Sequence, residues 1–347
     1  MNYFRKSIHE MSGYVPGEQP PLGTKIIKLN SNENPYPPSP KALNVLREID
    51  GEMLRRYPDP TATIFRLAAS EVLGVPSDWI IAGNGSDDLL NLIVRAVGEP
   101  GKQVVCPAPT YVLYRTLAEI QEADFVEVPY PEDYQLPVDL LIAAQGAVTF
   151  VAAPNSPSGT AISVADLETL AKGLSGLLVI DEAYVDFAEE NALELTKKYN
   201  NVIVLRTLSK GYSLAGLRLG FGIANPQLLA ELNKVKDSYN VDALAYAVAA
   251  AAIADRDYKT ATAEKIKVSR EKLAMMLKQL GFKVWPSQTN FLLVRPPKGD
   301  AERIYQTLKM QGILIRYFKQ PRLEDKLRIT IGTEEQNQIL VNTLREI

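Results

Sequence analysis

The sequence predicts an α/β protein: a large unit built on a mostly parallel sheet flanked by helices, followed by a smaller α+β unit. Three observations carry this. From about Trp79 onward, short β-branched runs alternate with segments of helical periodicity. Several of the strands are apolar at every position, as in sheets covered on both faces. Beyond Asp255 the texture changes to one long charged helix and shorter strands. The length of 347 residues fits two domains, since domains run to about 150 residues. The expected division is an arm over residues 1–34, a large unit over 35–254 and a small unit over 255–347, with the arm packed on the small unit or on a partner subunit.

Taken in order, Trp79–Gly83 reads as the first strand of the alternating region. Ser86–Val97 follows as a helix, with Leu89, Leu90, Ile93, Val94 and Val97 on one face. Gln103–Cys106 is the next strand, with a helix over Tyr111–Ile120. Strands are then expected at Phe125–Val128, Val148–Ala152, Leu177–Asp181, Val202–Thr207 and Leu219–Ile223. Ala243–Ala254, mostly alanine, reads as a closely packed buried helix. The small unit holds the helix Lys259–Leu280 and strands at Asn290–Val294, Ile313–Arg316 and Leu327–Ile331.

Composition narrows the function. Apolar residues at 46% and charged residues at 23% are ordinary globular values. Lys plus Arg number 38 against 41 Asp plus Glu, and a net charge of −3 argues against a nucleic-acid partner. A single cysteine, Cys106, and a single histidine, His9, exclude an internal disulfide and the usual zinc clusters, so no metal is expected. Without partners of the needed type, both read as structural residues. No run approaches the roughly 20 apolar residues of a membrane span, and the polar N-terminus lacks the apolar core of a signal peptide. The expectation is a cytoplasmic protein acting on small molecules, with chemistry drawn from Lys, Asp, Tyr, Arg and Ser around an organic cofactor.

Four segments could supply that chemistry. Lys210, in Thr207–Tyr212, lies just beyond an apolar strand among small and hydroxyl residues, where an amine can form an imine with a carbonyl. Alone, it reads as readily as a solvated strand-end charge. Asp181 ends an apolar strand, so its carboxylate emerges at the sheet's C-terminal edge and calls for a cationic partner such as a protonated pyridine nitrogen. Its alternative is a cap on the next helix. Tyr184 could donate to a phenolate oxygen on the same ring. In Ala82–Asp88, glycines close a strand and a helix opens at Ser86, which suits an anion such as phosphate. The spacing is not that of a dinucleotide fingerprint. Arg218, eight residues after Lys210, adds a planar fork for phosphate, with Thr207 and Ser209 supplying hydroxyls beside it. Together these are the parts needed to hold pyridoxal 5'-phosphate.

At this point the chain resembles a known family. Ser209–Lys210 with Ala215–Gly220, preceded by Asp181–Tyr184, resembles the fold-type-I pyridoxal-phosphate aminotransferases over nearly the whole length. Asn32–Tyr36, Arg56–Asp59, Pro109–Tyr111 and Leu327–Gly332 make it similar, more narrowly, to the histidinol-phosphate aminotransferase family. The resemblance implies Lys210 joined to the cofactor, Asp181 at the ring nitrogen, Tyr184 at the ring hydroxyl and Tyr111 stacked on the ring. Ser86, Asp87, Thr207, Ser209 and Arg218 would surround the phosphate. Tyr57 would reach that phosphate from the neighbouring subunit of a homodimer. Arg328 and Arg316 would grip substrate anions, with Tyr14 and Asn32 on the substrate side. One segment departs from the family: its usual Pro-Asn-Asn-Pro-Thr-Gly is here Pro154–Gly159, with Ser156 in place of the Asn that bonds the ring hydroxyl. That contact then falls to Asn155, or to Tyr184 alone.

The implied activity is amino transfer in two half-reactions, from histidinol phosphate to 2-oxoglutarate. The alternatives are an aromatic amino acid aminotransferase, a threonine-phosphate decarboxylase on the same scaffold, or a non-catalytic binding protein that keeps the fold.

Overall fold

Two sheets organise the chain in the computed structural model, which describes residues 3–13, 17–20, 23 and 25–347. In chain order the strands are β1 (Ile27–Leu29), β2 (Ile80–Gly83), β3 (Gln103–Ala108), β4 (Asp124–Pro129), β5 (Val148–Ala152) and β6 (Leu177–Asp181). They continue with β7 (Val202–Thr207), β8 (Gly220–Ala224), β9 (Lys283–Val284), β10 (Phe291–Arg295), β11 (Ile313–Tyr317) and β12 (Leu327–Thr330).

The seven-stranded sheet has the order β2-β8-β7-β6-β5-β3-β4. Its neighbours from β7 to β4 are all parallel, while β8 runs antiparallel to both β7 and β2. The reversal has a local cause. A parallel return needs a long crossover, and between Thr207 and Gly220 the chain has only the short 3₁₀ turn Ala215–Leu217. Consecutive residues of the central strands enter opposite cores: Phe150, Val179 and Ile203 pack in one cluster, Val151, Ile180 and Val204 in the other. Both faces are therefore covered, which is why these strands are apolar along most of their length.

The predicted helices Ser86–Val97 and Ala243–Ala254 occur with those bounds. The alanine-rich one packs on the helix Thr63–Leu73, and Asp242 caps it by accepting from the backbone N–H of Ala245. The helix expected from Tyr111 starts at Leu113, and the one expected from Lys259 starts at Arg256.

The five-stranded sheet has the order β1-β11-β12-β10-β9. It is antiparallel apart from β1, which joins β11 in parallel. Its core gathers Leu292, Ile315 and Ile329 with Ile266, Leu273 and Leu277 of the helix Arg256–Gln279. The N-terminal segment thus contributes β1 to this sheet. The short helix Lys6–Glu10 lies beside the helix Leu113–Ile120, where Arg5 donates to the carbonyl of Ile120. His9 is exposed on that helix, and Cys106 is buried in an apolar cluster where burial pushes its thiol pKa up. Among the described residues no helix is long and apolar enough to cross a membrane.

Candidate active site

Strand register brings the candidate residues to one edge. Asp181, the last residue of β6, pairs with Ala152 on one side and Leu205 on the other. Thr207 at the end of β7 is opposite Gly220, which is in turn opposite Gly83 at the end of β2. The loops leaving these ends carry Ser86, Ser209, Lys210, Arg218 and Tyr184, in the crevice where open α/β sheets bind ligands.

The Asp181 carboxylate is 5% exposed. Its Oδ2 accepts from the Tyr114 hydroxyl at 2.8 Å and its Oδ1 from the backbone N–H of Ala183 at 3.1 Å. The second bond is a local turn and not the helix cap of the alternative reading, since the next helix, Val185–Phe187, has Tyr184 at its N-cap and no side-chain cap. Burial raises the Asp181 pKa to about 6, against the pull of the Tyr114 hydrogen bond. Among the described residues no side-chain cation bonds this carboxylate. A buried carboxylate of this kind is stabilised by an N–H⁺ group set against it.

Lys210 directs its Nζ to the carbonyl of Ser31 at 3.3 Å, and the same nitrogen is 6.0 Å from the centre of the Tyr184 ring. Asn34 holds the backbone carbonyl of Lys210 at 3.0 Å. The Tyr184 hydroxyl accepts from Asn32 Nδ2 at 2.8 Å. Lys210 Nζ thus lies near the ring of Tyr184, which follows Asp181 by three residues on the loop leaving β6.

The anion cradle is built from backbone and side chains. Arg218 reaches Ser209 Oγ at 3.5 Å and Asp87 Oδ2 at 3.4 Å, and Thr207 donates to Ser209 Oγ at 2.9 Å. The helix that opens at Ser86 has a glycine N-cap with no side chain to accept from its first-turn N–H groups. Gly85, at φ +84°, lets the guanidinium close in: a Cβ there would stand 2.5 Å from Arg218 Nη2. A Cβ at Gly220 would run into the backbone N–H of Ser86. Arg218 itself is left-handed, at φ +56°. A bulky residue in that region is a strained outlier of the kind that gathers at functional sites. Hydroxyls, free helix N–H groups and a guanidinium form a donor set that fits phosphate. Together with the amine and the buried carboxylate, they fit pyridoxal phosphate.

Tyr111 donates to Asp87 Oδ1 at 3.2 Å and meets Tyr114 edge-on at 5.7 Å. Asn155 is fully buried, bonded to Thr110, Ser158 and the carbonyl of Pro109. Ser156 accepts from Arg328 Nη1 at 3.2 Å. Arg328 also holds the carbonyl of Asn30 at 3.2 Å, with its guanidinium 5.2 Å from the Phe291 ring and 5.4 Å from Phe318. Arg316 meets the Phe318 ring at 5.3 Å. Tyr57 stands apart from this cluster: it is 82% exposed and stacks on Tyr239 at 4.7 Å. Tyr14 lies outside the described residues.

Three partners escaped sequence reasoning. Tyr114 is one helical turn after Tyr111, and a buried tyrosine hydroxyl needs a partner, but nothing in the sequence names Asp181 as that partner. Asn34 sits in the Asn32–Tyr36 signature without a role of its own and Phe318 in no motif, because what they do depends on contacts far along the chain.

Strand edge, lysine, carboxylate and anion cradle define a site of the aminotransferase kind, and the comparisons agree. The model of the family described as aminotransferase class I and II matches residues 24–344, and the chain belongs to that family. Within it, the chain falls among the histidinol-phosphate aminotransferases. It is 65% identical to histidinol-phosphate aminotransferase 1 of Trichormus variabilis, covering 100% of this chain and 99% of that protein. It is 47% identical to the histidinol-phosphate aminotransferase of Citrifermentans bemidjiense, covering 99% of this chain and 98% of that one. Among solved structures, the Sinorhizobium meliloti histidinol-phosphate aminotransferase in complex with pyridoxal-5'-phosphate superposes with a TM-score of 0.92 at 29% identity, covering 100% of this chain and 98% of that one.

Proposed function

We propose that this protein, as a cytoplasmic homodimer, carries an amino group from histidinol phosphate to 2-oxoglutarate, with pyridoxal phosphate bound at the edge described above. Residues 35–254 form the cofactor-binding unit and residues 255–347 the small unit, to whose sheet the arm adds β1, while Arg5 of the arm rests on the large unit. When bound, the cofactor supplies an electron-withdrawing ring that weakens the bond to the substrate's Cα proton. Lys210 would hold the cofactor, and its Nζ would be the amine that takes the substrate's Cα proton and gives it back. Asp181 keeps a proton on the ring nitrogen, and Tyr184 donates to the ring hydroxyl. Thr207, Ser209, Arg218, Ser86 and Asp87 surround the phosphate. Tyr111 covers the ring face.

On the substrate side, Arg328 and Arg316 bind anions. Both present a guanidinium fork, which matches carboxylate and phosphate alike, so one pocket serves both substrates. Asn155 is tied to Thr110 and Ser158 and Ser156 to Arg328, which supports leaving the ring hydroxyl to Tyr184. The exposure of Tyr57 supports a role across a subunit interface.

The observation that carries this reading is the arrival at one sheet edge of the buried Asp181, at the end of β6, and of Lys210, just beyond the neighbouring β7 with its Nζ 6.0 Å from the Tyr184 ring. The test is turnover of histidinol phosphate with 2-oxoglutarate, followed as glutamate, beside phenylalanine and threonine phosphate. We expect the highest kcat/KM with histidinol phosphate. Faster turnover of phenylalanine would assign an aromatic aminotransferase, and carbon dioxide release from threonine phosphate would assign a decarboxylase.

A further inference from the structure

Asn32 is an asparagine with φ +57°, a conformation this residue type tolerates better than most. It is 1% exposed and held at every polar atom. Its N–H donates to Thr330 Oγ1 at 3.0 Å, and Thr330 Oγ1 donates back to Asn32 Oδ1 at 3.1 Å. Its carbonyl accepts from Asn290 Nδ2 at 2.9 Å. Because Oδ1 is claimed by Thr330, the amide can present only its NH₂ to Tyr184, and that bond is 2.8 Å long.

The consequence lies at Tyr184. A phenol hydroxyl has one proton and accepts through its lone pairs. The Asn32 donor occupies a lone pair, so the Tyr184 proton must point elsewhere. The ring is itself set by an edge-on contact with Phe291 at 5.1 Å, and Lys210 Nζ is 6.0 Å from its centre. The charged group facing the ring is therefore the lysine, and the remaining freedom is rotation of the O–H bond. Asn32 removes it.

We propose that Asn32 is a positioning residue that aims the Tyr184 proton at the cofactor's ring oxygen, rather than a group that touches substrate. This rests on the cofactor reading above. A donor on the ring oxygen favours the deprotonated form of the bound chromophore, so loss of that donor raises the pH midpoint of its visible band.

The experiment is a pH titration of that band in the purified protein with pyridoxal phosphate added. Wild type is compared with Tyr184→Phe, Asn32→Asp, Asn32→Gly and the Asn32→Gly/Tyr184→Phe double variant. Glycine keeps the left-handed backbone, and aspartate keeps the acceptor for Thr330, so the two Asn32 variants cover each other against misfolding. We expect each single variant to raise the midpoint by about one pH unit. We expect the double variant to match Tyr184→Phe alone, and kcat to fall with KM unchanged. An unmoved midpoint in both Asn32 variants, shifts that add in the double variant, or a raised KM with the wild-type midpoint would overturn the assignment. Failure of the wild-type protein to form any band would instead remove the cofactor reading on which it stands.

Discussion

Tyr114 donates its hydroxyl proton to Oδ2 of Asp181 across 2.8 Å, in a part of the molecule where both side chains are almost wholly out of water. This bond is the main polar compensation for a carboxylate that would otherwise be stranded. It is incomplete: burial still raises the Asp181 pKa from the usual 3.8 to about 6. In the cofactor-free protein the folded state therefore keeps a proton that the unfolded state has released. Stability falls as pH rises between these two values, and the cost is fully present above pH 6.

Replacing Asp181 with Asn should remove that cost: its single carbonyl oxygen can still accept from the N–H of Ala183, and its NH₂ then faces the Tyr114 hydroxyl as a donor. The cofactor-free variant should be more stable than wild type at pH 7 by about 2–3 kcal/mol, from a shift of about two pKa units. It should also lose the decline between pH 4 and 6. Urea denaturation across that range checks both. Coincident pH profiles for variant and wild type would show that the buried carboxylate carries no such penalty. The same variant should bind pyridoxal phosphate more weakly.

Lys210→Ala should abolish amino transfer and leave a folded protein. Among the described residues its Nζ bonds the backbone carbonyl of Ser31, at 3.3 Å, and no carboxylate, so truncation breaks no ion pair there. Circular dichroism and thermal melts should match wild type, and substantial residual transamination would refute the role given to this lysine.

Gly85→Ala tests the anion cradle. The new methyl group would sit 2.5 Å from Arg218 Nη2 on a backbone at φ +84°, so either the guanidinium or the turn must move. The expected result is at least a tenfold loss of pyridoxal phosphate affinity together with about 1 kcal/mol of destabilisation. Equilibrium titration with the cofactor reads the first, and thermal unfolding the second.

Arg328→Lys should raise KM for both substrates by tenfold or more while kcat changes less. The guanidinium bonds the carbonyl of Asn30 and Ser156 Oγ and packs near two aromatic rings, none of which a single ammonium reproduces in full. Ser156→Ala removes one of those supports and should raise KM only a few-fold. Steady-state kinetics with each substrate varied separately would show it, and an unchanged KM in Arg328→Lys would place the anion site elsewhere.

Much of this protein is decided by local rules that the chain displays openly. Apolar runs such as Val148–Ala152 and Leu177–Asp181 announce strands covered on both faces, and the spacing from Leu89 to Val97 announces a helix. Asp181 and Lys210 can be picked out because chemistry-bearing residues follow apolar strands, where a sheet presents its edge. What the chain could not display is partnership across distance. That Tyr114 serves Asp181, that Asn32 serves Tyr184 and Thr330, and that Arg328 serves Ser156 are contacts between residues 67 to 298 positions apart. A hydrogen bond depends on distance and direction in space, and only the tertiary packing of the chain sets those. The antiparallel turn of β8, which brings Gly220 beside the Ser86 amide, is of the same origin.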